Sequence, residues 1–594
     1  MCGYIGKVSF SSINEKNLES ANDYIVCRGP DSKKHSINLS GNLKHALFFN
    51  RLSILDLKEN ADQPMYSKDK DKVLMFNGEI YNHRELRKEL ENKINFHTDH
   101  SDTEVILNGI SLFGIDYINK LRGQFSIFFW EKQKKKIYLV RDRLGQKPLY
   151  YKNTKNSLIF GSNLKSIASL DKDYELDFRS VSEYLDYGAI SSPNTIFKNY
   201  KKVKPAEIIE FDYNNNELDK SNKIYWEIEN FIDNKNFEKE EFFDKFSESI
   251  NVRVKADVPI ANFLSGGIDS SSIVKNLYDD NNSLNTFSIN VDNKKYDEEP
   301  WSKLVASKYK TNHQSVTLSS KIGLDDIKES ISSLDEPYAD PSVVPSYLLS
   351  KEISKYYKVA ISGDGGDELL GGYDRTALSL KDTSMIQNNI SNLYSLYPAF
   401  AGTGNYFLSK SNSLSTRYSS FLEDKNLLKI LGINKTNSPK NIYINNDIEP
   451  YKSLLIADYK FYLPEMMLFK IDRTSMANSL EIRSPFVDHE LIEYVLSHDS
   501  SYYSTDIPKK ILKDYLSEDF DSKFINRKKQ GFVFDIENWI FSNLTQINES
   551  IYSGKLNDLI PKNAINSLSI LKSRINSHRI WKIYVLSEYL SDLS

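Results

Sequence analysis

Cys2 directly follows the initiator methionine, in the stretch MCGYIG. If Met1 is removed, Cys2 becomes the chain terminus and carries a free α-amino group beside its thiol. An unperturbed thiol has a pKa of about 8.5 and an α-amine one of about 8, so the amine could accept the thiol proton near neutral pH. A lone cysteine is more often a small apolar residue at the start of a strand. Other residues of the sequence are therefore needed to indicate whether Cys2 is a nucleophile.

The stretch MFNGEIYN, residues 75–82, places an Asn side chain and a Gly backbone N–H where a strand turns. Acyl chemistry needs such donors for an oxyanion, and glycine allows close approach, so Asn77 and Gly78 are candidates. NGE by itself indicates an ordinary hairpin turn. An amide substrate that is also an amino acid needs a guanidinium for its carboxylate and a carboxylate for its ammonium. Arg51 in NRLSI and Asp102 in SDTE are the candidates for these two contacts.

A second kind of chemistry is indicated by PIANFLSGGIDSSSIV, where an apolar strand leads through a loop of small residues into a helix. Small residues let backbone N–H groups surround a polyphosphate, and the helix N-terminus adds positive potential. The lysine of a Walker loop is missing, and the Rossmann fingerprint also fails. By itself, the loop is as typical of a flexible turn as it is of a phosphate-binding loop. Its candidate residues are Ser265, Gly266, Gly267 and Asp269.

A second loop, in KVAISGDGGDELLGGY at residues 358–373, repeats the pattern of an apolar strand followed by small residues and then carboxylates. Carboxylates facing a phosphate loop suit Mg²⁺, which is usually held by one or two carboxylates together with phosphate oxygens. DGGDE alone indicates a solvated acidic turn. The two loops together predict a nucleotide site, whose further candidates are Ser362, Gly363, Asp364, Asp367 and Glu368.

Two regions with different patterns would position these groups. Residues 1–210 contain short apolar or alternating runs such as YIGKVSF and FSIFFW, which predict mostly antiparallel strands. Helices are expected near 81–92 and 102–113, and the Ser and Glu of SDTE are typical of a helix N-terminus. Residues 211–240 are polar and are predicted to be a linker.

From residue 241 onward, strand patterns alternate with helical patterns, which predicts a parallel α/β sheet. The expected helices are 241–255 and helices beginning at 270 and 298, and the expected strands are PIANFL, TFSINV and KVAIS. After about residue 375 the pattern is mainly helical.

Composition excludes several classes of protein. A chain of 594 residues is long enough for two or more domains, and its formal net charge of -4 leaves no basic surplus for nucleic acid. Cys2 and Cys27 are the two cysteines, which excludes a disulfide framework and favours a reducing compartment. No signal peptide or membrane span is indicated, so we expect a cytoplasmic protein without a membrane partner.

The motifs of the first region together resemble a known family. MCGYIG, CRGPD at 27–31, NRLSILD at 50–56, FNGEIYN, SDTE and RDRLGQKPLYY at 141–151 resemble the N-terminal-nucleophile glutaminase domain of class II glutamine amidotransferases. The resemblance implies an Ntn-hydrolase αββα sandwich in which Cys2 attacks the glutamine side-chain amide, releases ammonia and leaves a thioester that water hydrolyses. It implies an oxyanion site at Asn77 and Gly78, a positioning role for Arg28, and glutamine binding by Arg51, Glu79 and Asp102.

LSGGIDSS resembles the signature of the ATP pyrophosphatase superfamily, which cleaves ATP between the α and β phosphates and transfers AMP to an acceptor. Behind a class II glutaminase, this pairing resembles the glutamine-hydrolysing asparagine synthetases. The likeness continues at 335–351, 469–491, 508–516, 527–532 and 577–590. It implies a glutaminase domain over 1–210, a linker over 211–240, and over 241–594 a parallel-sheet α/β ATP pyrophosphatase domain with a largely helical C-terminal part.

The resemblance also implies roles for individual residues of the second region. Asp269 and Asp367 would bind Mg²⁺ and pyrophosphate, and Asp364 would handle the incoming amine. A lysine of PKKILKDYL would stabilise charge on the phosphates, and we favour Lys509 over Lys510 because ILK should follow it on the helix. The implied nucleotide contacts are Leu264, Ser265, Gly266, Gly267, Asp269, Ser270, Ile289, Ser362 and Gly363.

The expected reaction is the ATP- and Mg²⁺-dependent amidation of aspartate through β-aspartyl-AMP, with ammonia from glutamine reaching the intermediate through an internal passage. The products would be asparagine, glutamate, AMP and pyrophosphate. No residue set identifies aspartate, so an amidotransferase acting on another carboxylate, such as a sugar acid of a surface polysaccharide, is the first alternative. The second is a paralogue that senses glutamine or ATP without turnover, against which the intact Cys2, Asn77, Asp269 and Asp367 argue. A homodimer is left open.

Overall fold

The computed structural model of the protein describes residues 2–170, 174–279, 284–291, 298–318, 322–381, 389–433, 444–502, 507–527, 534–554, 556 and 559–593. Its strands are β1 Cys2–Ser9, β2 Ser32–Asn38, β3 Lys44–Arg51, β4 Met65–Tyr66, β5 Lys72–Ile80, β6 Gly123–Glu131, β7 Lys136–Arg141, β8 Tyr150–Asn153, β9 Ser157–Gly161, β10 Lys201–Lys202, β11 Glu207–Asn214, β12 Glu217–Ile224, β13 Ile260–Phe263, β14 Asn285–Val291, β15 Asn312–Leu318, β16 Val359–Ile361 and β17 Glu481–Arg483.

The α-helices up to residue 380 are α1 Glu15–Asp23, α2 His83–Glu91, α3 Asp102–Phe113, α4 Leu164–Ala168, α5 Phe178–Tyr187, α6 Lys239–Arg253, α7 Ile268–Asp279, α8 Glu299–Lys308, α9 Leu324–Ser332, α10 Val343–Ile353, α11 Gly366–Leu369 and α12 Asp374–Leu380. Those that follow are α13 Asn405–Leu408, α14 Leu414–Ser419, α15 Lys425–Leu431, α16 Pro450–Ala457, α17 Leu468–Met476, α18 His489–Ser497, α19 Lys510–Leu516, α20 Ser522–Ile525, α21 Ile536–Ser542, α22 Leu544–Ser553, α23 Ala564–Ile570 and α24 Arg574–Ser591, with a π-helix over Asp458–Met467. In the described part of the chain, none of the helices has the length and apolar character needed to cross a bilayer.

The N-terminal region is a sandwich of two antiparallel sheets. One sheet has the strand order β10-β8-β9-β1-β3-β2 and the other β12-β11-β7-β6-β5-β4. Successive side chains of a strand point to opposite faces, so Val73 and Met75 of β5 pack between the sheets while Leu74 and Phe76 pack outward. α1, α4 and α5 cover the outer face of the first sheet, and α2 and α3 cover that of the second. The layers are therefore αββα, which confirms the expected fold class.

The predicted helices near 81–92 and 102–113 are present as α2 and α3. The prediction omitted α1, α4 and α5. α1 buries only Leu18, Ala21 and Asn22, and α4 is a single short turn, so both show little apolar periodicity. α5 buries Val181, Tyr184 and Leu185 at helical spacing and was missed despite that pattern. Ser101 precedes α3 but makes no capping hydrogen bond. The carboxylate of Glu104 instead accepts the backbone N–H of Thr98, at 2.7 Å, so SDTE marks the start of the helix without forming the expected cap.

The polar stretch 211–240 is more than a linker. β11 and β12 pair as an antiparallel hairpin at the edge of the second sheet, with Asn214 opposite Glu217. Phe211 and Leu218 reach the core between the sheets, while most of the outermost strand is exposed. Because this edge strand is exposed, most of its residues are polar, and they do not show the apolar alternation by which strands are predicted from sequence.

The second region is built on a parallel sheet with the strand order β15-β14-β13-β16-β17. The predicted parallel α/β architecture is confirmed, although β15 and β17 were not predicted. From β13 the chain order runs outward to β15 on one side and to β17 on the other, so the carboxyl ends of β13 and β16 form a topological switch point, where ligands bind in open α/β sheets. Leu264 follows β13 and Ser362 follows β16, so both candidate loops begin there.

The C-terminal part is largely helical, as predicted, and α24 joins it to the rest of the molecule. Trp581 and Tyr584 of α24 are buried in the same apolar cluster as Tyr184 and Leu185 of α5. The hydroxyl of Tyr184 donates to the backbone carbonyl of Lys582, at 2.8 Å. The two regions thus share one continuous core, which holds their sites in a defined relation.

Candidate active sites

Cys2 begins the central strand of the first sheet and lies opposite Arg51 of β3. Its side chain is buried, and its backbone N–H donates to Oδ1 of Asn77, at 3.1 Å. Burial raises the pKa of the Cys2 thiol, and the positive charges and the Leu52 backbone group near it, Arg51 among them, oppose that shift only in part. A nearby base is therefore needed to generate the thiolate, because the thiolate is the nucleophilic form.

Asn77 and Gly78 are residues of β5 and lie beside Cys2 of β1. Nδ2 of Asn77 is buried and has no hydrogen-bond partner among the described residues, an arrangement that costs free energy unless a ligand supplies the acceptor. A Cβ atom on Gly78 would lie 2.0 Å from the backbone oxygen of Gln124, so no larger residue fits there. An unpaired amide donor next to a buried thiol suits a developing oxyanion.

Arg51 lies in the same pocket but is already engaged by protein groups. Its Nη1 donates to the carbonyl of Lys58 and to Oδ1 of Asp62, both at 2.9 Å, and its Nη2 donates to the carbonyl of Leu55 at 3.2 Å. Arg51 therefore organises the turn after β3. A glutamine carboxylate bound here would share the guanidinium with Asp62.

Glu79 and Asp102 place two buried carboxylates in this pocket. Oδ2 of Asp102 accepts the backbone N–H of Ile80, at 3.1 Å. Burial raises the pKa of Asp102, and it raises that of Glu79 well above the ordinary value. Oε2 of Glu79 lies 3.1 Å from Nη2 of Arg483, a residue of β17 in the second region. Because Arg483 is hundreds of residues away in the chain, the sequence analysis did not include it.

Arg28 of the CRGPD motif connects Cys2 to the second region. Its Nε donates to the backbone carbonyl of Cys2 at 3.2 Å, and its Nη1 and Nη2 donate to the two oxygens of Asp472 at 2.8 and 3.1 Å. Although burial opposes ionisation, Arg28 and Lys147 hold the pKa of Asp472 well below its ordinary value. The arrangement is consistent with the positioning role expected of Arg28.

The loop after β13 has the backbone geometry of a phosphate cradle. Gly266 has a φ of +73°, and a Cβ atom there would lie 2.6 Å from the backbone nitrogen of Ser302. The hydroxyl of Ser265 accepts the N–H of Gly267 at 3.2 Å, and the carbonyl of Gly266 accepts from Arg527 at 2.8 Å. Arg527 opens the RKKQGF motif, to which the sequence analysis assigned no contact; residues 528–532 lie outside the described residues.

Glycines let the two candidate loops come into contact. A Cβ atom on Gly363 would lie 3.0 Å from both the Cβ of Asp269 and the backbone nitrogen of Ser270, and one on Gly366 would lie 2.7 Å from the Cγ of Asp269. The hydroxyl of Ser362 donates to the carboxylate of Asp364 and accepts the backbone N–H of that residue. The tertiary structure therefore brings together loops that are about a hundred residues apart in the chain.

Leu264 and Ile289 flank the cradle. Leu264 is fully buried and its backbone N–H donates to the carbonyl of Phe287 at 2.7 Å, so neither its side chain nor its N–H is available to a ligand. Ile289 is partly buried on β14. Of the two residues, Ile289 therefore has the accessible side chain.

Lys509 lies between the carboxylates of the two loops. Its Nζ forms an ion pair with Asp269 and another with Oδ1 of Asp367, the latter at 2.7 Å. Lys510, in contrast, pairs with Asp514 on the exposed side of α19 at 3.3 Å. A Cβ atom on Gly372 would lie 2.2 Å from the Cε of Lys509. The geometry thus places Lys509, and not its neighbour, at the candidate nucleotide site.

Asp269 and Asp367 are suitable donors for Mg²⁺. Among the described residues, no group of three or more His, Cys, Asp or Glu side chains could hold a metal ion alone. Mg²⁺ typically takes one or two carboxylates and completes its octahedron with water and substrate phosphates. Two carboxylates beside a phosphate cradle therefore fit a metal that arrives with its nucleotide.

Comparison with known proteins supports both halves. A family model described as asparagine synthase matches residues 241–587, and one described as a glutamine amidotransferase domain matches residues 1–226. Asparagine synthetase (glutamine-hydrolyzing) 1 of Bacillus subtilis is 30% identical over 621 residues, which cover 98% of this chain and 96% of the relative. Asparagine synthetases 3 and 2 of the same organism are 30% and 28% identical and cover 83% and 90% of this chain, and 80% and 72% of their own lengths.

The fold, the sites and these matches define an ATP-dependent ligase that uses glutamine as its amido donor. The chain belongs to the asparagine synthase family, with an N-terminal glutamine amidotransferase domain. The match to the glutamine amidotransferase model ends at residue 226, just after β12.

Proposed function

We propose that the protein synthesises asparagine from aspartate, ATP and glutamine, hydrolysing glutamine in one region and activating aspartate in the other. The observation that carries this proposal is the presence of two candidate sites in one structure. Nδ2 of Asn77, which has no hydrogen-bond partner in the described part of the chain, lies beside Cys2, and Lys509 lies between two carboxylates at the switch point of the parallel sheet. The names of the full-length relatives support aspartate as the acceptor.

In the glutaminase region, the free α-amine of Cys2 would take the thiol proton after removal of Met1. The thiolate would attack the side-chain carbonyl carbon of glutamine, and Asn77 and Gly78 would donate to the resulting oxyanion. The protonated α-amine would return its proton to the leaving nitrogen, so that collapse expels ammonia and leaves a γ-glutamyl thioester. Water then attacks the thioester, releases glutamate and regenerates the thiol. We assign this activity to residues 1–210, extended by the β11–β12 hairpin.

In the synthetase region, residues 241–594, a β-carboxylate oxygen of aspartate would attack the α-phosphorus of ATP, and pyrophosphate would leave. The loops containing Ser265 and Ser362 would hold the phosphates through backbone N–H groups, and Lys509 would stabilise the charge on them. Asp269 and Asp367 would hold Mg²⁺, which would supply further neutralisation of the phosphate charge when bound.

Ammonia would then attack the acyl carbon of β-aspartyl-AMP, and AMP would leave. Asp364, which is hydrogen-bonded to Ser362 of the second loop, would accept the proton that the amine loses on forming the amide. Ammonia can be protonated and the adenylate can be hydrolysed, so both would need to be kept from water as ammonia passes between the two regions. Cys2 and Cys27 are free thiols, which supports a cytoplasmic setting.

The first test is to incubate the purified protein with ATP, Mg²⁺ and glutamine, with and without aspartate, and to measure pyrophosphate and asparagine together. Aspartate-dependent appearance of both products is expected. Glutamate release without either product would overturn aspartate as the acceptor and leave the glutaminase assignment intact. Sugar acids would then be tested as acceptors in the same pyrophosphate assay.

A further inference from the structure

Arg483 brings a cation from the synthetase sheet into the candidate glutamine pocket. It lies at the end of β17 and is completely buried, with Nη2 at 3.1 Å from Oε2 of Glu79. Its Nε donates to Oε1 of Glu481 at 2.6 Å. Its Nη1 donates to the backbone carbonyls of Arg253 and Lys255, at 2.9 and 2.8 Å. The guanidinium is therefore held rigidly by synthetase groups while it faces a glutaminase carboxylate.

The backbone of Arg483 is equally constrained. Arg483 pairs in register with Ile361 of β16, and its carbonyl accepts the N–H of Ser362 at 3.0 Å. Ser362 begins the second candidate nucleotide loop. One residue thus contacts the glutamine pocket through its side chain and the nucleotide loop through its backbone.

The charges in the pocket explain why a cation is needed there. Glu79 and Asp102 are both buried, and Glu481 adds a third carboxylate nearby. Burial raises the pKa of Glu79 well above its ordinary value; Arg483 opposes this shift, and Asp102 and Glu481 add to it. Like charges in a shared buried site favour protonation of one of them, whereas an adjacent cation favours ionisation. A neutral Glu79 would be a weak partner for an ammonium group.

We propose that Arg483 is a positioning residue of the glutaminase, which orients the Glu79 carboxyl group and favours its ionised form when the α-ammonium group of glutamine binds. Arg483 touches neither the reacting amide nor the thiol in this arrangement, so its effect falls on glutamine affinity. The inference rests on the proposed glutaminase site and goes beyond it by assigning part of glutamine recognition to the synthetase sheet.

The test compares Arg483→Met with wild type in glutamate release. We expect the KM for glutamine to rise about tenfold to a hundredfold, the range for losing one charge-assisted contact, with kcat changed far less. Arg483→Lys keeps the charge and should recover most of that loss. Arg122→Met is the matched control, because Arg122 is another buried arginine that joins the two regions: its Nε lies 3.0 Å from Oδ2 of Asp488. The KM of this variant for glutamine should stay near the wild-type value.

Chemical labelling of Cys2 separates recognition from thiol reactivity. The glutamine analogue 6-diazo-5-oxo-norleucine carries the α-ammonium group, whereas iodoacetamide does not. In Arg483→Met the first reagent should label Cys2 at least about tenfold more slowly, and the second at the wild-type rate. Equal slowing with both reagents, or equal KM increases in the Met and Lys variants, would show a purely structural role and overturn the proposal.

Pyrophosphate release with ammonium salts reports whether a variant is folded, and it should persist in Arg483→Met. If that variant does not fold, Glu79→Gln and the double variant Glu79→Gln/Arg483→Met replace it, since the double variant leaves no charged carboxylate at position 79 facing the lost guanidinium. The proposal requires the double variant to bind glutamine no worse than Glu79→Gln alone; an additive further loss contradicts it. Wild-type protein that neither releases glutamate nor reacts with the diazoketone would instead refute the glutaminase assignment itself.

Discussion

The two candidate sites are built in different ways. Around Cys2 the groups are side chains on paired strands: Cys2 on β1, Arg51 on β3, and Asn77 and Glu79 on β5. At the nucleotide site the groups are mostly backbone atoms and short side chains on loops that follow β13 and β16. The first arrangement fixes one reacting thiol by the hydrogen-bonded ladder, whereas the second needs glycines so that two loops can approach each other. Side-chain substitutions should therefore separate the two activities cleanly.

The largest expected effect is that of Cys2→Ala, which removes the nucleophile and should abolish both glutamate release and glutamine-dependent synthesis. Synthesis from added ammonium salts should continue, because the nucleotide site does not use the thiol. Amino-acid analysis of products with each nitrogen source measures both. Loss of the ammonia-dependent reaction as well would contradict the separation of the sites.

Lys509→Met is the matching change in the second region. Two carboxylates would lose their cation, and developing phosphate charge would lose a partner, so pyrophosphate release should fall about 10³-fold or more with either nitrogen source. Lys510→Met is the control and should change the rate little, because Lys510 pairs with Asp514 away from the loops. A comparable loss in both variants would mean that the rate of pyrophosphate release depends on the conformation at the start of α19. The Lys509 ammonium group would then have no specific role in it.

Asn77→Ala tests the oxyanion assignment with a smaller expected effect. Removing one oxyanion donor typically lowers kcat by about 10²- to 10³-fold, so glutamate release should fall by that factor while the KM for glutamine changes little. Initial rates over a range of glutamine concentrations give both parameters. A rise in KM with unchanged kcat would assign Asn77 to binding instead.

The smallest predicted effect concerns stability near the nucleotide loops. Burial, together with Asp367 and Asp458, raises the pKa of Glu368 to about 7, and the hydroxyl of Tyr373 donates to it at 2.7 Å. A carboxyl whose pKa is raised in the folded state stabilises the fold below its unfolded pKa, and this contribution is lost as pH rises through about 7. Wild-type Tm should therefore decrease more than that of Glu368→Gln between about pH 6 and pH 8. Parallel pH profiles of the two proteins would contradict the assignment.

Much of this molecule was predictable from local pattern. Alternating runs located the strands of the sandwich, because alternation directly reports which face of a strand is buried. The small-residue loops located the nucleotide site, because their spacing after an apolar strand is itself the requirement for binding phosphate. The hairpin of β11 and β12 was missed, since an exposed edge strand carries polar residues on most positions, and the two- to five-residue elements are too short to show a period.

The sequence by itself determined the fold class, the order of the two regions, and the residue types at Cys2, Asn77, Asp269 and Asp367. Only the tertiary structure decided which distant groups meet: Arg28 with Asp472, Glu79 with Arg483, and Lys509 with the carboxylates of two separate loops. Periodicity and motif spacing record the burial and local conformation of a segment. They do not predict which buried charges pair with each other, because that pairing depends on the packing of elements hundreds of residues apart.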